Sequence, residues 1–233
     1  MSVAVRLTAV RRRIAAAAGL AGRDPSSVRL VAVSKTFPIE AVREAYAEGQ
    51  RDFGENRVQE ALRKINASRD LPGLRWHLIG NLQTNKARKA SQAFAVIQSV
   101  DSLELLGKLD EAAAVAGTAP ELLIQVDLAR EATKFGIPEA EVPRLFDRAT
   151  ACRAVRVVGL MTLPPASDTP EDARPWFRRL RELRDQWLDA GVPGQMLRQL
   201  SMGMSGDLEI AVQEGATLVR VGTAIFGGRD VEH

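Results

Sequence analysis

The stretch VRLVAVSKTFPIEAVREAYAEG, Val28–Gly49, contains the two patterns that decide the fold. It begins with a short apolar run rich in valine, which is typical of a buried β-strand. After Pro38 the apolar residues return at helical spacing, and the segment ends at Gly49, as helices commonly do. The stretch therefore predicts one strand followed by one amphipathic helix.

The same unit recurs to the end of the sequence. Eight apolar runs alternate with amphipathic segments, and the runs are VRLVAVSK, RDFGEN, RWHLIG, AVIQSVD, ELLIQVDLA, VRVVGLMTLP, LRQLSMG and TLVRVGTAIFG. Because each helical crossover returns the chain to the same edge of a sheet, this order predicts parallel pairing. We expect an α/β protein with a single (β/α)₈ TIM barrel spanning residues 1–233. A doubly wound open sheet is the competing fold, but no G-x-G-x-x-G follows the first run.

The first residues, MSVAVRLTAVRRRIAAAAGLAGRD, superficially resemble the charged and apolar regions of a signal peptide. Their apolar residues Val3, Leu7, Val10 and Ile14 recur at helical spacing, which predicts an extra amphipathic helix before the barrel. No segment approaches the roughly 20 apolar residues of a membrane span. We expect a cytoplasmic protein with no membrane partner.

Composition argues against two further classes of site. Lysine and arginine number 32 against 29 acidic residues, and the arginines are scattered rather than clustered. With only 5% aromatic residues, the sequence predicts no nucleic-acid partner. Cys152 is the single cysteine and there are two histidines, so neither an internal disulfide nor a Cys/His metal site is expected.

Lys35 ends the first predicted strand. Strand alternation puts Val31, Val33 and Lys35 on one face, so the lysine points into the barrel if the valines do. Active sites of these barrels lie where the strands end, and a desolvated lysine becomes a nucleophilic amine suited to Schiff-base formation. Taken alone, VSK is better explained by a lysine that caps a strand and extends its ammonium group to solvent.

The last unit, TLVRVGTAIFGG, places Arg220 inside a predicted strand. An interior guanidinium keeps its proton and needs a fixed acceptor, which a structural ion pair would also provide. Gly222 and Thr223 follow directly, and the segment Ser201–Asp207 follows the preceding strand. Both loops offer backbone N–H groups and hydroxyls to an anion, and phosphate sites in these barrels are frequently built after strands seven and eight.

Closure of the barrel would bring Lys35, Arg220 and both loops to one quadrant of its mouth. Pyridoxal 5′-phosphate (PLP) matches that set, since its phosphate would take the loops, its aldehyde Lys35 and its pyridine nitrogen Arg220. A guanidinium donor keeps this nitrogen unprotonated and weakens the ring as an electron sink. A sugar-phosphate substrate handled by a Schiff-base aldolase is the alternative.

Four segments carry a resemblance to a known family: AVSKTFP, FGENRVQE, WHLIGNLQTNKAR and LSMGMSGDLEIAVQEGATLVRVGTAIFGGRD. They are similar to the signature segments of the pyridoxal phosphate homeostasis proteins, also called the proline synthetase co-transcribed homologues. The resemblance implies a barrel like that of alanine racemase, PLP fold type III, with PLP bound to a lysine.

By this resemblance Lys35 is the PLP lysine, Arg220 faces the pyridine nitrogen, and Ser201, Gly222 and Thr223 hold the phosphate. The other residues expected around the cofactor are Asn56, His77, Met202 and Gly203. A lone histidine in an apolar strand is also typical of a hydrogen-bonded structural residue.

The sequence departs from the family pattern at two positions. Phe37 stands where many members carry a second lysine, and Arg57 where many have tyrosine. The first departure removes an alternative amine, and the second removes an aromatic ring at a helix start. Lys134 matches a family lysine, although a solvated loop lysine explains it as well.

A missing second base favours a carrier over an enzyme. PLP racemases need a second proton-transfer group on the opposite ring face, whereas the only tyrosine here, Tyr46, lies mid-helix in a segment expected outside the barrel. We expect a protein of vitamin B6 homeostasis that holds PLP and delivers it to PLP-dependent apo-enzymes without substantial catalysis. The alternative is a fold type III amino-acid racemase. We expect a monomer, with a dimer as the alternative.

Overall fold

Strands and helices alternate along the chain in the computed structural model, which describes residues 1–129, 135–166 and 168–228. The strands are β1 (Arg29–Val33), β2 (Asp52–Glu55), β3 (Arg75–Leu78), β4 (Val96–Val100), β5 (Glu121–Asp127), β6 (Ile137–Pro138), β7 (Arg156–Met161), β8 (Gln199–Ser201) and β9 (Leu218–Val221). The helices are α1 (Val3–Leu20), α2 (Ile39–Ala47), α3 (Val58–Ala67), α4 (Ala87–Ala93), α5 (Leu103–Ala116), α6 (Val142–Thr150), α7 (Arg174–Asp189), α8 (Leu208–Gln213) and α9 (Thr223–Phe226). Short 3₁₀ helices span Pro25–Ser27, Thr84–Lys86, Glu139–Glu141, Pro170–Ala173 and Gly194–Met196.

Eight of these strands close into a parallel barrel. The order runs β1, β2, β3, β4, β5, β7, β8, β9 and back to β1, so the first and last strands pair. Each of these strands coincides with one of the eight apolar runs, which confirms the (β/α)₈ barrel over the open sheet. The two-residue strand β6, which adds to β5, and the four-residue helix α9 were not predicted, because neither is long enough to show a period.

The extra N-terminal helix is confirmed as α1. Ser2 caps it by accepting a hydrogen bond from the Val5 N–H, with 3.4 Å between Oγ and N. Leu7, Val10 and Ile14 are buried, and the helix contacts α2, α8 and α9. It therefore covers the seam where the last βα units meet the first. Neither α1 nor any other helix in the described ranges has the length and apolar character that a membrane span needs.

Two kinds of side chain fill the barrel interior. The first is an apolar cluster made of Val31, Val96, Leu123, Val158, Met161 and Leu218. The second is polar: His77, Gln98, Ser201 and Arg220 are all buried. Gln98 and Arg220 share strand parity with Val96 and Leu218 of the apolar cluster, so they also point inward. A larger apolar core lies between the outer faces of the strands and the helices.

Candidate cofactor site

A cavity of about 770 Å³ opens at the carboxyl ends of the barrel strands. It brings together five of the predicted site residues, namely Lys35, Asn56, Arg220, Gly222 and Thr223. The loops after β7 and β8 complete its wall with Leu163, Pro164, Pro165, Ala166, Asp168, Thr169, Pro170, Met204, Ser205, Gly206 and Asp207. His77, Ser201, Met202 and Gly203 are not among the lining residues and lie deeper in the protein.

Lys35 lies in the turn between β1 and α2. Val31 belongs to the interior cluster and Val33 lines the cavity, so both valines face inward, and Lys35 lines the same cavity. The strand nevertheless ends at Val33, two residues earlier than predicted, and in the turn that follows Thr36 adopts a left-handed backbone with a φ of 69°. This conformation is strained for a β-branched residue, and Glu60 Oε1 stabilises it by accepting the Thr36 N–H at 2.7 Å.

A buried ion pair supports the backbone directly before Lys35. Lys64 Nζ lies 2.8 Å from Glu55 Oε1 and donates to the Ser34 carbonyl oxygen at 2.6 Å. Ser34 Oγ donates to the same carboxylate at 2.6 Å. Burial raises the pKa of Glu55, and Lys64 and Ser34 offset only part of that rise. This cluster was not predicted, although Lys64 lies on the apolar side of α3, where a charged residue needs a partner.

Arg220 is 3% exposed and holds its guanidinium between two neutral acceptors. Its Nη1 donates to Ser201 Oγ at 2.5 Å, and its Nη2 donates to the Thr162 carbonyl oxygen at 2.9 Å. Burial lowers the pKa of Arg220 to about 10, against the opposing charge of Asp207, so the group stays cationic at neutral pH. Its hydrogen-bond partners within the described ranges are thus a hydroxyl and a carbonyl rather than the carboxylate of a structural ion pair.

The predicted phosphate residue Ser201 lies behind Arg220, where it is fully buried. Its hydroxyl accepts from Arg220 and donates to Gln98 Oε1 at 2.6 Å, so it is not directed at the cavity. Met202 is buried in the outer core. Gly203 has a φ of 92°, and a Cβ there would lie 2.4 Å from the Cβ of Ala211, so it permits close packing on α8. These three residues are thus not among the cavity lining, and the cofactor contacts that the resemblance implies for them stay predictions.

Two loops with small residues form the cavity wall nearest the end of β9. Gly222 approaches β1 so closely that a Cβ would lie 3.2 Å from the Val33 carbonyl oxygen. Thr223 follows it on the lining, and Ser205 and Gly206 line the cavity from the loop after β8. Ser205 Oγ accepts the Ala224 N–H at 3.4 Å, which ties the two loops together. This wall can surround an anion with hydroxyls and backbone N–H groups.

Asn56 and His77 have different environments. Asn56 lines the cavity, and its Oδ1 is buried without a hydrogen-bond partner among the described residues. His77 is fully buried below it, with Nε2 2.8 Å from Asp52 Oδ1 and Nδ1 2.9 Å from Gln98 Nε2. Burial lowers the pKa of His77, and the carboxylate of Asp52 offsets this only in part. His77 is therefore a hydrogen-bonded interior residue, as the alternative interpretation of its position expected.

The other residues that the sequence analysis discussed lie away from the cavity lining or outside the residues that the structure describes. Phe37 packs on Phe226 with ring centroids 5.2 Å apart, so it has a packing role. Arg57 is exposed before α3. Tyr46 lies in α2, and its hydroxyl donates to the Pro72 carbonyl at 3.0 Å, as expected for a residue outside the barrel. Lys134 lies outside the described residues.

The cavity thus combines an amine, a buried guanidinium and an anion-binding wall. Its other titratable lining residues within the described ranges are Asp168 and Asp207. No group of three His, Cys, Asp or Glu side chains able to hold a metal ion occurs in that part of the chain. The arrangement is suited to a phosphorylated aldehyde with a polar ring atom.

Relatives found by sequence comparison are similar to this chain over nearly their full length and carry one family name. The profile of the alanine racemase N-terminal domain family matches residues 5–230. The pyridoxal phosphate homeostasis protein of Aquifex aeolicus is 42% identical over 232 residues, which is 98% of this chain and 99% of that protein. The protein of the same name from Pseudomonas aeruginosa is 45% identical over 230 residues, covering 98% and 96% of the two chains.

Solved structures agree with these relatives. PipY of Synechococcus elongatus, determined with PLP bound, is 43% identical and superposes with a TM-score of 0.83 over 97% of this chain and all of PipY. Alanine racemase of Clostridium difficile is 15% identical with a TM-score of 0.77, covering 99% of this chain and 58% of the racemase, so it shows the fold alone. The chain belongs to the pyridoxal phosphate homeostasis protein family, within the alanine racemase N-terminal domain family.

Proposed function

We propose that this protein binds PLP in the cavity at the carboxyl end of the barrel, with Lys35 forming a Schiff base to the cofactor. The observation that carries the proposal is that Lys35 and Arg220 line one cavity together with Gly222 and Thr223. The PLP-bound structure of PipY, a relative of nearly the same length, supports it. The cofactor, when bound, supplies an aldehyde for the lysine and an electron-accepting ring.

Polar groups on the cavity lining support the fit of the cofactor. Asn56 Oδ1 is buried on the lining without a hydrogen bond from the part of the chain that the structure describes, and a buried acceptor of this kind costs free energy until a donor reaches it. Arg220 has neutral acceptors and can direct a donor at the pyridine nitrogen. A volume of about 770 Å³ also exceeds what one such cofactor needs, which leaves room for solvent or a second small molecule.

The phosphate would occupy the wall formed by Ser205, Gly206, Gly222 and Thr223. Ser201 was expected among these residues, but its hydroxyl is already committed to Arg220 and Gln98. Ser205 lies on the lining and replaces it in the proposal. Within this wall, Gly222 brings the backbone close to β1 without a side chain that would narrow the cavity.

We further propose that the protein holds and delivers PLP within the cell rather than catalysing substantial turnover. The lining residues of the described ranges include no tyrosine, histidine or cysteine that could act as the second base of a racemase. Asp168 and Asp207 are the carboxylates available there, so a racemase would have to use one of them. The homeostasis name of the relatives supports the carrier role. PLP-dependent apo-enzymes are the recipients in this proposal.

The first experiment locates the cofactor. Purified protein incubated with PLP is reduced with borohydride and digested, and the modified peptide is identified by mass spectrometry. We expect the added pyridoxyl mass on Lys35 and its loss in Lys35→Ala. Modification of another lysine in the wild-type protein, with none on Lys35, would overturn the proposed site.

The second experiment separates a carrier from an enzyme. PLP-loaded protein is mixed with a PLP-dependent apo-enzyme while a scavenger removes free PLP, and recovery of the acceptor's activity is followed. We expect recovery with the wild-type protein. Exchange of Cα hydrogen for deuterium in an amino acid at enzyme-like rates would instead support the racemase.

A further inference from the structure

A line of five hydrogen-bonded side chains crosses the barrel interior from the cavity to the opposite end. Arg220 Nη1 lies 2.5 Å from Ser201 Oγ, which lies 2.6 Å from Gln98 Oε1. Gln98 Nε2 lies 2.9 Å from His77 Nδ1, and His77 Nε2 lies 2.8 Å from Asp52 Oδ1. We call these five residues the interior network.

The network spans the depth of the barrel. Asp52 is the first residue of β2, whereas Asn56, on the cavity lining, follows the last residue of that strand. Asn56 is four residue steps beyond Asp52, or about 13 Å at the usual rise per residue of a strand. Asp52 lines a second cavity of about 400 Å³ at the amino-terminal ends of the strands. One end of the network therefore faces the proposed PLP cavity. The other end, at Asp52, lies at the amino-terminal ends of the strands, which we call the base of the barrel.

The acceptor at the base sets the direction of every hydrogen bond. A carboxylate only accepts, so Asp52 requires a proton on His77 Nε2. In a neutral imidazole Nδ1 is then unprotonated and accepts a hydrogen bond, and its donor must be the amide NH₂ of Gln98. The amide oxygen consequently faces Ser201, whose hydroxyl must donate to it. The lone pairs of Ser201 are thereby left for Arg220, which can only donate.

Burial makes this order obligatory. His77, Gln98 and Ser201 are each fully buried, so water cannot supply a missing donor or acceptor without opening the barrel. Hydrogen bonds in such a low-dielectric interior also polarise one another, which strengthens a line of consistent direction. At the base, Arg29 and Arg75 lie 3.9 and 3.7 Å from Asp52 Oδ1 and favour its charged form.

We propose that Gln98, His77 and Asp52 are positioning residues for Arg220. They orient the Ser201 hydroxyl so that it accepts from the guanidinium, which fixes the remaining N–H groups of Arg220 toward the cavity. The charge of Asp52 at the base thus influences the hydrogen-bond donor at the other end of the barrel. The value of this arrangement for cofactor binding rests on the proposed function, whereas the order of the hydrogen bonds does not.

The first test needs no cofactor. The chain has two histidines, so ¹⁵N NMR of wild type and of a His233→Gln variant assigns the His77 ring unambiguously. We expect His77 to be neutral at about pH 7, with its proton on Nε2. In Asp52→Asn, whose amide can present a donor or an acceptor, we expect a mixture of tautomers. A wild-type ring with its proton on Nδ1, or a charged ring, would overturn the proposal.

The second test measures PLP affinity and the absorption spectrum of the bound cofactor. We expect Gln98→Leu to weaken PLP binding about tenfold and to change the spectrum, since Arg220 loses an oriented acceptor. The matched control is Gln199→Leu on β8, because Gln199 accepts a hydrogen bond from Thr217 at 2.7 Å and lies outside the network. An equal loss of affinity in both variants would contradict the proposal.

A double-mutant cycle distinguishes a network from local damage. We expect Asp52→Asn alone to weaken PLP binding about threefold and to have no further effect in the Gln98→Leu background, because the connection is already broken. Additive effects would overturn the proposal. If Gln98→Leu does not fold, Asp52→Asn still carries the test, with unchanged affinity and spectrum as the contradicting result. If the wild type does not bind PLP, the proposed function fails while the NMR test of the network still stands.

Discussion

Val31 of β1 lies directly opposite Arg220 of β9 in the parallel register that closes the barrel. Lys35 follows Val31 by four residues, and Gly222 and Thr223 follow Arg220 by two and three, so all of them reach the same rim. Residues nearly two hundred positions apart thus meet because the first and last strands are neighbours.

The close approach of Gly222 to β1 predicts a cost for any side chain there. A Cβ would lie 3.2 Å from the Val33 carbonyl oxygen, which is tight enough to move the loop that carries Thr223. We expect Gly222→Ala to weaken PLP binding about tenfold, or about 1.4 kcal/mol. Fluorescence titration with PLP measures this. Gly228→Ala is the control, since a Cβ there meets no atom within 4 Å, and equal effects of the two changes would contradict the explanation.

Arg220→Glu should change the electronic properties of bound PLP without releasing it. A carboxylate facing the pyridine nitrogen favours its protonated form, whereas the guanidinium donor disfavours it. We expect an altered absorption spectrum with PLP still bound through Lys35 and the phosphate wall. Arg220→Lys, which keeps a cationic donor, should remain closer to the wild-type spectrum. Complete loss of PLP from Arg220→Glu would show that the arginine anchors the cofactor instead.

Much of the fold could be predicted because the sequence repeats one simple pattern. Each barrel strand is an apolar run, and the intervening helices have a clear period, so eight alternations were sufficient to predict closure. Parity with Val31 and Val33 predicted that Lys35 faces the barrel mouth, and Lys35 does line the cavity although the strand ends before it. The end of β1 could not be predicted in this way, because the turn depends on the left-handed backbone of Thr36, which no sequence pattern announces for a β-branched residue.

The polar groups inside the barrel were harder to predict. Parity showed that Arg220 faces inward, whereas Ser201 was expected at the phosphate from the family resemblance. Its hydrogen bond to Arg220 depends on its depth on β8, which no local pattern gives. Gln98 lies in an apolar run and gave no signal of its own, since its partners His77 and Ser201 come from two other strands. Long-range pairing of this kind is a property of the closed barrel rather than of any local segment.

The ion pair between Lys64 and Glu55 predicts a strong destabilisation when one partner is removed. Both side chains are buried, so Lys64→Met leaves a carboxylate without its ammonium partner. We expect the free energy of unfolding to fall by about 3–5 kcal/mol, measured by urea denaturation. The matched variant Glu55→Gln/Lys64→Met removes both charges and should be more stable than Lys64→Met. A double variant less stable than the single one would contradict this account.

The environment of His77 predicts a dependence of stability on pH. Burial lowers the pKa of His77 below its ordinary value of 6.5, so between these two values the unfolded chain binds more protons than the folded one. The contribution of His77 to the free energy of unfolding is therefore complete above pH 6.5. It is lost as the pH falls toward the pKa of His77 in the folded protein. Glu55, whose pKa is raised from 4.5, acts in the opposite direction, since its contribution is lost as the pH rises.

Comparison with His77→Gln isolates the histidine, because Glu55 is present in both proteins. We expect the difference in unfolding free energy between wild type and His77→Gln to shrink from about pH 7.5 to about pH 5.5, by as much as ~1.4 kcal/mol per pH unit. Urea denaturation of both proteins across this range measures it. A difference that stays constant, or grows on acidification, would mean that the folded protein accepts a proton on His77. The tautomer that orients Gln98, Ser201 and Arg220 would then not be maintained.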